Sequence, residues 1–174
     1  MVEVRAAAPA DAGAIARVVV DSWRRAYAGL LPDELLAGLS VEDRRRMWRA
    51  VLDAAAPGVA VLVAEDRAGP LVVGFVAARS DPDDPRHGQL MALYVAPGAW
   101  RRGIGTMLHD AALDHLARRG VERATLWVLD GNERADAFYR ARGWVPDGRR
   151  QVEEWLGGVL PEHAMSIALP DGRT

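Results

Sequence analysis

The strongest chemical signal in the sequence is a short basic turn that runs Arg101-Arg102-Gly103-Ile104-Gly105-Thr106. An apolar stretch at residues 90 to 95 predicts a buried strand before it, and a helical apolar stripe begins at Ile104. A helix that starts here directs unpaired backbone N–H groups and the positive end of its dipole at the turn. Because Gly103 and Gly105 lack a Cβ, an anion can approach the backbone closely. The turn therefore predicts a phosphate site.

Two common phosphate-binding motifs fit this turn poorly. A Walker loop requires Lys and then Ser or Thr after its second glycine, whereas Ile104 and Gly105 follow Gly103 here. A dinucleotide-binding fingerprint requires a third glycine, and Leu108 occupies that position. An ordinary helix start without a ligand remains the simplest alternative.

The turn resembles the pyrophosphate loop of the GNAT superfamily of acyl-CoA N-acyltransferases. In that family a strand and a proline precede Arg or Gln, two residues, Gly, one residue, and Gly or Ala. Pro97, Gly103 and Gly105 fall in register with this pattern, but Trp100 stands where the family usually has Arg or Gln. The resemblance implies that the following residues bind CoA: Arg101, Arg102, Gly103, Ile104, Gly105 and Thr106.

A second motif follows the next predicted strand. It is similar to the family's signature of Asn, Ala, Phe-Tyr and Gly-aromatic, here Asn132, Ala135, Phe138, Tyr139, Gly143 and Trp144. The resemblance implies that Asn132 binds the pantetheine arm and that Tyr139 is the general acid for the leaving thiolate. A tyrosine hydroxyl, with an ordinary pKa of about 10, is able to donate to a thiolate. The alternatives are a core aromatic for Tyr139 and a plain helix N-cap for Asn132.

The resemblance also implies a gap between two central strands, in which the cofactor arm lies. Leu93 and Val95 would then offer backbone groups to the pantetheine. The N–H of Leu93 would stabilise the thioester oxygen as it becomes an oxyanion. The alternative is that both are ordinary strand residues in a core.

The sequence does not settle which group is the general base. Many relatives have Glu near the start of the central strand, where this chain has Gln89. An amide can position water but does not usefully accept the proton. The other candidates are Glu153, Glu154, Glu162 and His163, of which His163 is favoured, and a water chain without a dedicated base is an equal alternative.

Several side chains are candidates for the pocket of the acceptor amine: Trp23, Tyr27, Gln89, Met91 and Trp127. For the aromatic residues and the methionine, core packing is the favoured single role. We expect this pocket between residues 23–31 and 151–162, opposite the CoA arm. Carboxylates in the second segment favour a cationic amine. The acceptor could be a polyamine, an amino acid, an antibiotic, or a protein N-terminus or lysine, and a small amine such as a polyamine or an amino compound is favoured over a protein.

Composition argues against several other classes of protein. The length of 174 residues predicts one domain over residues 1–174, which the resemblance implies is an N-acetyltransferase domain, and the formal charge of −2 argues against a nucleic-acid partner. Without cysteine there is no thiolate nucleophile, disulfide or Cys-based zinc site. No signal segment or apolar run of transmembrane length is present, so we expect a cytoplasmic protein without a membrane partner. The histidines lack metal-ligand spacing, so no metal is expected: His87, His109, His115 and His163.

The periodicity of apolar residues predicts the elements that position these groups. His109 and His115 are expected on the solvent face of the long helix. The predicted order is a strand at 2–5, helices opened by Pro9, Pro32 and Ser40, strands at 59–65 and 71–79 joined by a turn at 67–70, an exposed loop at 80–88, the central strand, a helix from Ile104 to Gly120, a strand at 124–129, a helix at 132–142, a strand at 144–150, a loop or hairpin at 151–162, and a strand at 164–169. This order predicts the α/β GNAT fold, with a mixed, mostly antiparallel sheet flanked by helices.

The combined prediction is an N-acetyltransferase that uses acetyl-CoA as co-substrate. The amine attacks the thioester directly, since no covalent nucleophile is evident. One alternative is a non-catalytic acyl-CoA sensor, which Gln89 permits. Another alternative is a doubly wound nucleotide-binding module, but the pairing of Asn132 with Tyr139 argues against it. Members of the family often dimerise through their C-terminal strands, so a homodimer is an open alternative to a monomer.

Overall fold

Within the described residues, seven strands form one sheet. The strands are β1 (Val2–Ala6), β2 (Val59–Asp66), β3 (Leu71–Ser80), β4 (His87–Val95), β5 (Arg123–Leu129), β6 (Val145–Trp155) and β7 (Gly158–Ala168). Their spatial order is β1-β2-β3-β4-β5-β7-β6. All neighbours are antiparallel except β4 and β5, which are parallel. This computed structural model describes residues 1–69, 71–155 and 158–170.

Helices cover both faces of the sheet. They are α1 (Ala12–Ala26), α2 (Asp33–Ala37), α3 (Val41–Ala54), α4 (Ile104–Arg118) and α5 (Glu133–Arg140). Because side chains alternate along a strand, Phe75 of β3 packs in the cluster formed with α1 and α3, whereas Val76 packs in the cluster formed with α4. No helix in the described part of the chain is long and apolar enough to cross a membrane.

The predicted order of elements is confirmed, but the last two strands are longer than predicted. The segment 151–162, predicted as a loop or hairpin, is mostly the paired ends of β6 and β7. An edge strand buries few side chains: Val152 is 64% exposed, so the alternation that marks a half-buried strand is weak there. The cap at Ser40 is confirmed, since its side chain accepts from the N–H of Asp43. Of the predicted turn at 67–70, Pro70 lies outside the described residues.

The central strands separate along their length, and this separation positions the site. Ala77 pairs with Ala92 and Ala78 pairs with Leu90, so Met91 is an extra residue that forms a bulge on β4. The parallel pairing of β4 with β5 ends at Gln89. Beyond that point a gap opens between residues 90–95 of β4 and 126–129 of β5.

His109 on α4 is buried, so the prediction that it lies at the solvent face is wrong. It is 3% exposed, and its Nε2 accepts a hydrogen bond of 2.9 Å from Nε1 of Trp144. Since an indole N–H can only donate, the imidazole proton is on Nδ1, which lies 2.7 Å from Asp110. Burial lowers the pKa of His109, which favours this neutral form. His115 is half-buried.

Candidate active site

A cavity of about 1100 Å³ fills the gap between β4 and β5. We call the part lined by residues 99–106 and by α5 the cofactor half. The part lined from α1, α3, β3, β6 and β7 is called the acceptor half. The cavity brings together these predicted site residues: Trp23, Tyr27, Gln89, Met91, Leu93, Val95, Arg101, Gly103, Ile104, Gly105, Thr106, Trp127, Asn132 and Tyr139. Arg102 is not among the lining residues, and its guanidinium lies 3.3 Å from the carboxylate of Asp66 on β2.

The turn before α4 presents backbone N–H groups to the cavity. Gly103 is the N-cap of α4, has φ +77° and provides no side-chain cap. The N–H groups of residues 104–106 belong to the first helical turn and therefore have no acceptor within the helix. Arg101 also has a positive φ of 62°. Together with the helix dipole, these N–H groups form a concave site suited to an anion.

The two glycines of this turn have different physical roles. A Cβ added at Gly103 would meet nothing within 4 Å, but its positive φ disfavours other residues. A Cβ at Gly105 would lie 3.3 Å from Cε2 of Phe138. Gly105 therefore allows α5 to pack close to α4, whereas Gly103 gives the turn its shape and keeps the space beside it open.

Trp100, which departs from the family pattern, is integrated into the cofactor half. Its Nε1 donates to the carbonyl of Val95 at 2.6 Å, and the guanidinium of Arg134 lies 3.6 Å from its ring centroid. Ser22 also donates to the Val95 carbonyl, at 3.0 Å, so both lone pairs of that oxygen are used. The stacking places a positive charge from α5 over the indole at the cofactor half of the cavity.

Arg142 contributes a further guanidinium to the cofactor half. It donates to the hydroxyl of Thr106 and to the carbonyl of Phe138 at 2.9 Å, and it stacks on the Phe138 ring. Its buried Nε has no hydrogen-bond partner among the described residues. Sequence reasoning missed both Arg134 and Arg142, because each acts across the space between two elements.

The backbone of β4 faces the gap at Leu93 and Val95. The N–H of Ala96 donates to the carbonyl of Val73 at 2.8 Å. Hydrogen-bonded pairs alternate along an antiparallel ladder, so Tyr94 bonds to β3 while the backbone groups of Leu93 and Val95 point toward β5. Because β5 has already separated, the N–H of Leu93 has no ladder partner on that side among the residues that the structure describes.

Asn132 and Tyr139 line the cavity from α5. Asn132 is the N-cap of α5, and its side-chain oxygen accepts from the N–H of Ala135 at 3.2 Å. Its NH₂ group remains for other contacts. The Tyr139 ring packs edge-on against Phe138 and Trp144. Burial, reinforced by Tyr94, raises the pKa of Tyr139, so its hydroxyl stays protonated at neutral pH.

All three tyrosines of the chain line this cavity. The rings of Trp23 and Tyr27 are 4.9 Å apart in an edge-on contact. Burial raises the pKa of Tyr94, although hydrogen bonds with Tyr27 and Trp23 oppose that shift. Tyr27 and Trp23 therefore pack in the core and line the cavity at once.

The favoured base, His163, is not among the residues that line the cavity. Its ring nitrogens lie 2.9 Å from Asp130 and 3.0 Å from Asp136. Partial burial acts to lower the pKa of His163, but these two carboxylates raise it overall. Glu162, its neighbour, does line the cavity, because successive residues of a strand face opposite sides.

Glu162 is a half-buried carboxylate in the acceptor half. Burial raises the pKa of Glu162, and Glu153 adds to the shift, while a hydrogen bond of 2.7 Å from Gln151 opposes it. Glu153 also lines the cavity, whereas Glu154 is not among the lining residues. Gln89 accepts a hydrogen bond of 2.9 Å from Arg79. In the part of the chain that the structure describes, no cluster of three His, Asp or Glu side chains is placed to hold a metal ion.

The sequence pattern of the acetyltransferase (GNAT) family matches residues 13–144. The chain belongs to this family. It is therefore an acyl-CoA-dependent acetyltransferase, and both the predicted fold and the predicted family are confirmed.

Named relatives and a solved structure are consistent with this assignment. The uncharacterized N-acetyltransferase YuaI of Bacillus subtilis strain 168 is 32% identical over 144 residues, which cover 81% of this chain and 79% of that protein. The probable N-acetyltransferase Rv2775 of Mycobacterium tuberculosis is 28% identical over 168 residues, covering 93% and 90%. The crystal structure of PaiA N-acetyltransferase from Thermoplasma acidophilum in complex with coenzyme A matches with a TM-score of 0.74, covering 97% of this chain and 99% of that one. At 19% identity, that match shows the shared fold.

Two further arginines line the acceptor half of this GNAT acetyltransferase: Arg44 and Arg79. The run of arginines in α3 has the pattern of a solvent-exposed helix face. That holds for the three that pair with acidic neighbours on the same helix, Arg45, Arg46 and Arg49. Arg44 is instead half-buried, and burial lowers its pKa.

Proposed function

We propose that this acetyltransferase transfers the acetyl group of acetyl-CoA to the primary amine of a small acceptor by direct attack. One observation carries the proposal. A single cavity is lined by the first turn of α4 with its backbone N–H groups, by the backbone of β4 that faces the gap, and by the hydroxyl-bearing side chain of Tyr139. The crystallised PaiA N-acetyltransferase, which shares the fold, is in complex with coenzyme A.

The cofactor half holds CoA mainly through backbone groups. The N–H groups of residues 104–106 bind the pyrophosphate, and Arg101 and Arg134 supply positive charge. Asn132 binds the pantetheine through its NH₂ group, and Leu93 and Val95 contact it from β4. The fit is supported by the open space beside Gly103, where a Cβ would meet nothing within 4 Å.

Acetyl transfer then needs three groups of this chain. The neutral amine nitrogen attacks the carbonyl carbon, and the N–H of Leu93 stabilises the oxyanion that forms. When the C–S bond breaks, the hydroxyl of Tyr139 gives its proton to the thiolate, and the new amide nitrogen releases its extra proton to water, from which Tyr139 regains one. Glu162, directly or through water, takes the proton that the acceptor ammonium must lose before attack.

A Tyr139→Phe variant tests this mechanism. The ring still packs between Phe138 and Trp144, so CoA should raise the thermal stability of the variant as much as that of the wild type. The turnover number should fall by about 10²–10⁴-fold, because only the proton donor is lost. An unchanged turnover number would remove Tyr139 from the mechanism. Stabilisation by CoA without turnover of any amine in the wild type would favour the acyl-CoA sensor.

A further inference from the structure

The acceptor half carries charges of both signs on opposite sides of the gap. Arg44 and Arg79 come from α3 and β3, on the β4 side of the gap. Glu153 and Glu162 come from β6 and β7, on the β5 side. The CoA site proposed above uses neither arginine, so the arrangement points to the acceptor.

The side of the cavity that carries Glu153 and Glu162, which we call the carboxylate wall, suits an ammonium group. Glu162 is half-buried, and its nearest hydrogen-bond donor is the neutral amide of Gln151, at 2.7 Å. Glu153 lies close enough to repel its charge. A cationic amine beside these two carboxylates would relieve that repulsion and replace the lost hydration.

The side of the cavity that carries Arg44 and Arg79, which we call the arginine wall, suits an anion. Arg44 is half-buried and lines the cavity. One of its guanidinium nitrogens lies 3.7 Å from the sulfur of Met47, and the fork of a guanidinium matches a carboxylate. Arg79 uses one nitrogen to donate to Gln89 at 2.9 Å and keeps further donors. A polyamine would place a second cation against this wall, where like charges repel.

Both walls belong to one cavity, and Tyr94 of β4 lines it as well. The Tyr94 ring lies 6.4 Å from the ring of Trp23, which also lines the cavity. A small molecule that occupies the acceptor half is therefore exposed to charges of both signs.

We infer that the acceptor is an ampholyte, a small molecule that carries an anionic group such as a carboxylate in addition to its primary amine. Glu162 receives the amine, and Arg44 binds the anionic group. The inference rests on the proposed acetyl transfer and narrows its acceptor from small amines in general to this class.

Matched acceptors test the inference. Each of several α-amino acids is compared with its carboxamide and with its decarboxylated amine, and kcat/KM is measured by release of the CoA thiol. The wild type should prefer the amino acid by about tenfold or more, because a hydrogen-bonded charge pair is lost in the other two. Arg44→Gln should abolish this preference by raising KM for the amino acid alone, and Arg44→Lys should restore part of it.

The control variant is Arg49→Gln on the same helix, since Arg49 is exposed and pairs with Asp53 at 2.7 Å. It should keep the wild-type preference. Equal or better turnover of the decarboxylated amines by the wild type would overturn the inference while leaving acetyl transfer intact. The same holds if Arg44→Gln slows all three acceptors equally. Absence of turnover with every primary amine would overturn the proposed function, and this inference with it.

Discussion

The cofactor half of the cavity relies mainly on backbone groups, whereas the acceptor half relies on side chains. The cofactor half depends on the backbone of one contiguous turn, where Gly103 has φ +77° and precedes the first turn of α4. The acceptor half depends on side chains from five separate elements, among them Arg44, Tyr27 and Glu162. Backbone groups are present whatever the side chains are, whereas each side chain of the acceptor half can be replaced by one mutation. We therefore expect the cofactor half to specify the family's chemistry and the acceptor half to specify the substrate.

Among the variants that alter the binding of either ligand, the largest effect is expected from Gly103→Ala in the cofactor half. A residue with a Cβ disfavours φ +77° by about 1–2 kcal/mol, so the turn shifts and its N–H groups are misdirected. Losing two charge-assisted hydrogen bonds of about 1.5 kcal/mol each weakens CoA binding by about 100-fold. Calorimetric titration measures this loss.

The matched control is Gly98→Ala, because Gly98 is exposed and a Cβ there meets nothing within 4 Å. It should bind CoA like the wild type. At saturating acetyl-CoA, the KM of Gly103→Ala for the acceptor should be unaltered. Wild-type CoA affinity in Gly103→Ala would show that the turn is not the phosphate site.

A smaller effect, confined to the acceptor half, is expected from Glu162→Gln. Loss of the carboxylate should lower kcat/KM for a cationic acceptor by about tenfold, the value of one hydrogen bond to a charged group, with CoA affinity unchanged. Burial raises the pKa of Glu162, and only its ionised form attracts the ammonium. Wild-type kcat/KM should therefore fall as the pH drops through this raised pKa.

In the Glu162→Gln variant, kcat/KM should no longer decline at acidic pH. The change in kcat/KM at higher pH that comes from ionisation of the acceptor amine should remain. Glu154→Gln is the control, because Glu154 is exposed and is not among the residues that line the cavity. An acidic decline that persists in Glu162→Gln would assign the ionisation to another group.

The smallest effect is expected from Arg134→Gln at the edge of the cofactor half. The guanidinium lies 3.6 Å from the Trp100 ring centroid, and an exposed cation beside an anionic ligand is worth about 0.5–1 kcal/mol. CoA affinity should fall about two- to fivefold, and the acceptor KM should stay the same. Arg140→Gln, an exposed arginine on the same helix that is not among the lining residues, is the control. A change in acceptor KM instead would place Arg134 in the other half.

The same contrast explains what the sequence could predict. The turn before α4 and the cap at Asn132 are local, so their residues are neighbours in the chain and their spacing identifies them. The acceptor half depends on which side of each strand faces the gap. That choice separates Glu162 from the favoured base His163, and it follows from strand register rather than from residue type.

Buried polar contacts between residues that are far apart in the chain could not be predicted from the sequence either. His109 has the spacing of a surface position on an amphipathic helix, yet it is buried because Trp144 donates to it from across the fold. Arg134 lies over the indole of Trp100 only because α5 passes close to that ring. Periodicity assigns a face to each residue, but it does not identify the partner on that face.

If one cavity carries out acetyl transfer to an amine, release of the CoA thiol by the wild type must accompany acetylation of the amine. Acetyl-CoA is mixed with a panel of primary amines, and free CoA thiol and acetylated amine are quantified together. We expect thiol release that requires an amine, with one acetylated amine formed for each thiol. Acetyl transfer in this cavity would be ruled out by thiol release that does not depend on any amine, or by none at all although CoA stabilises the fold.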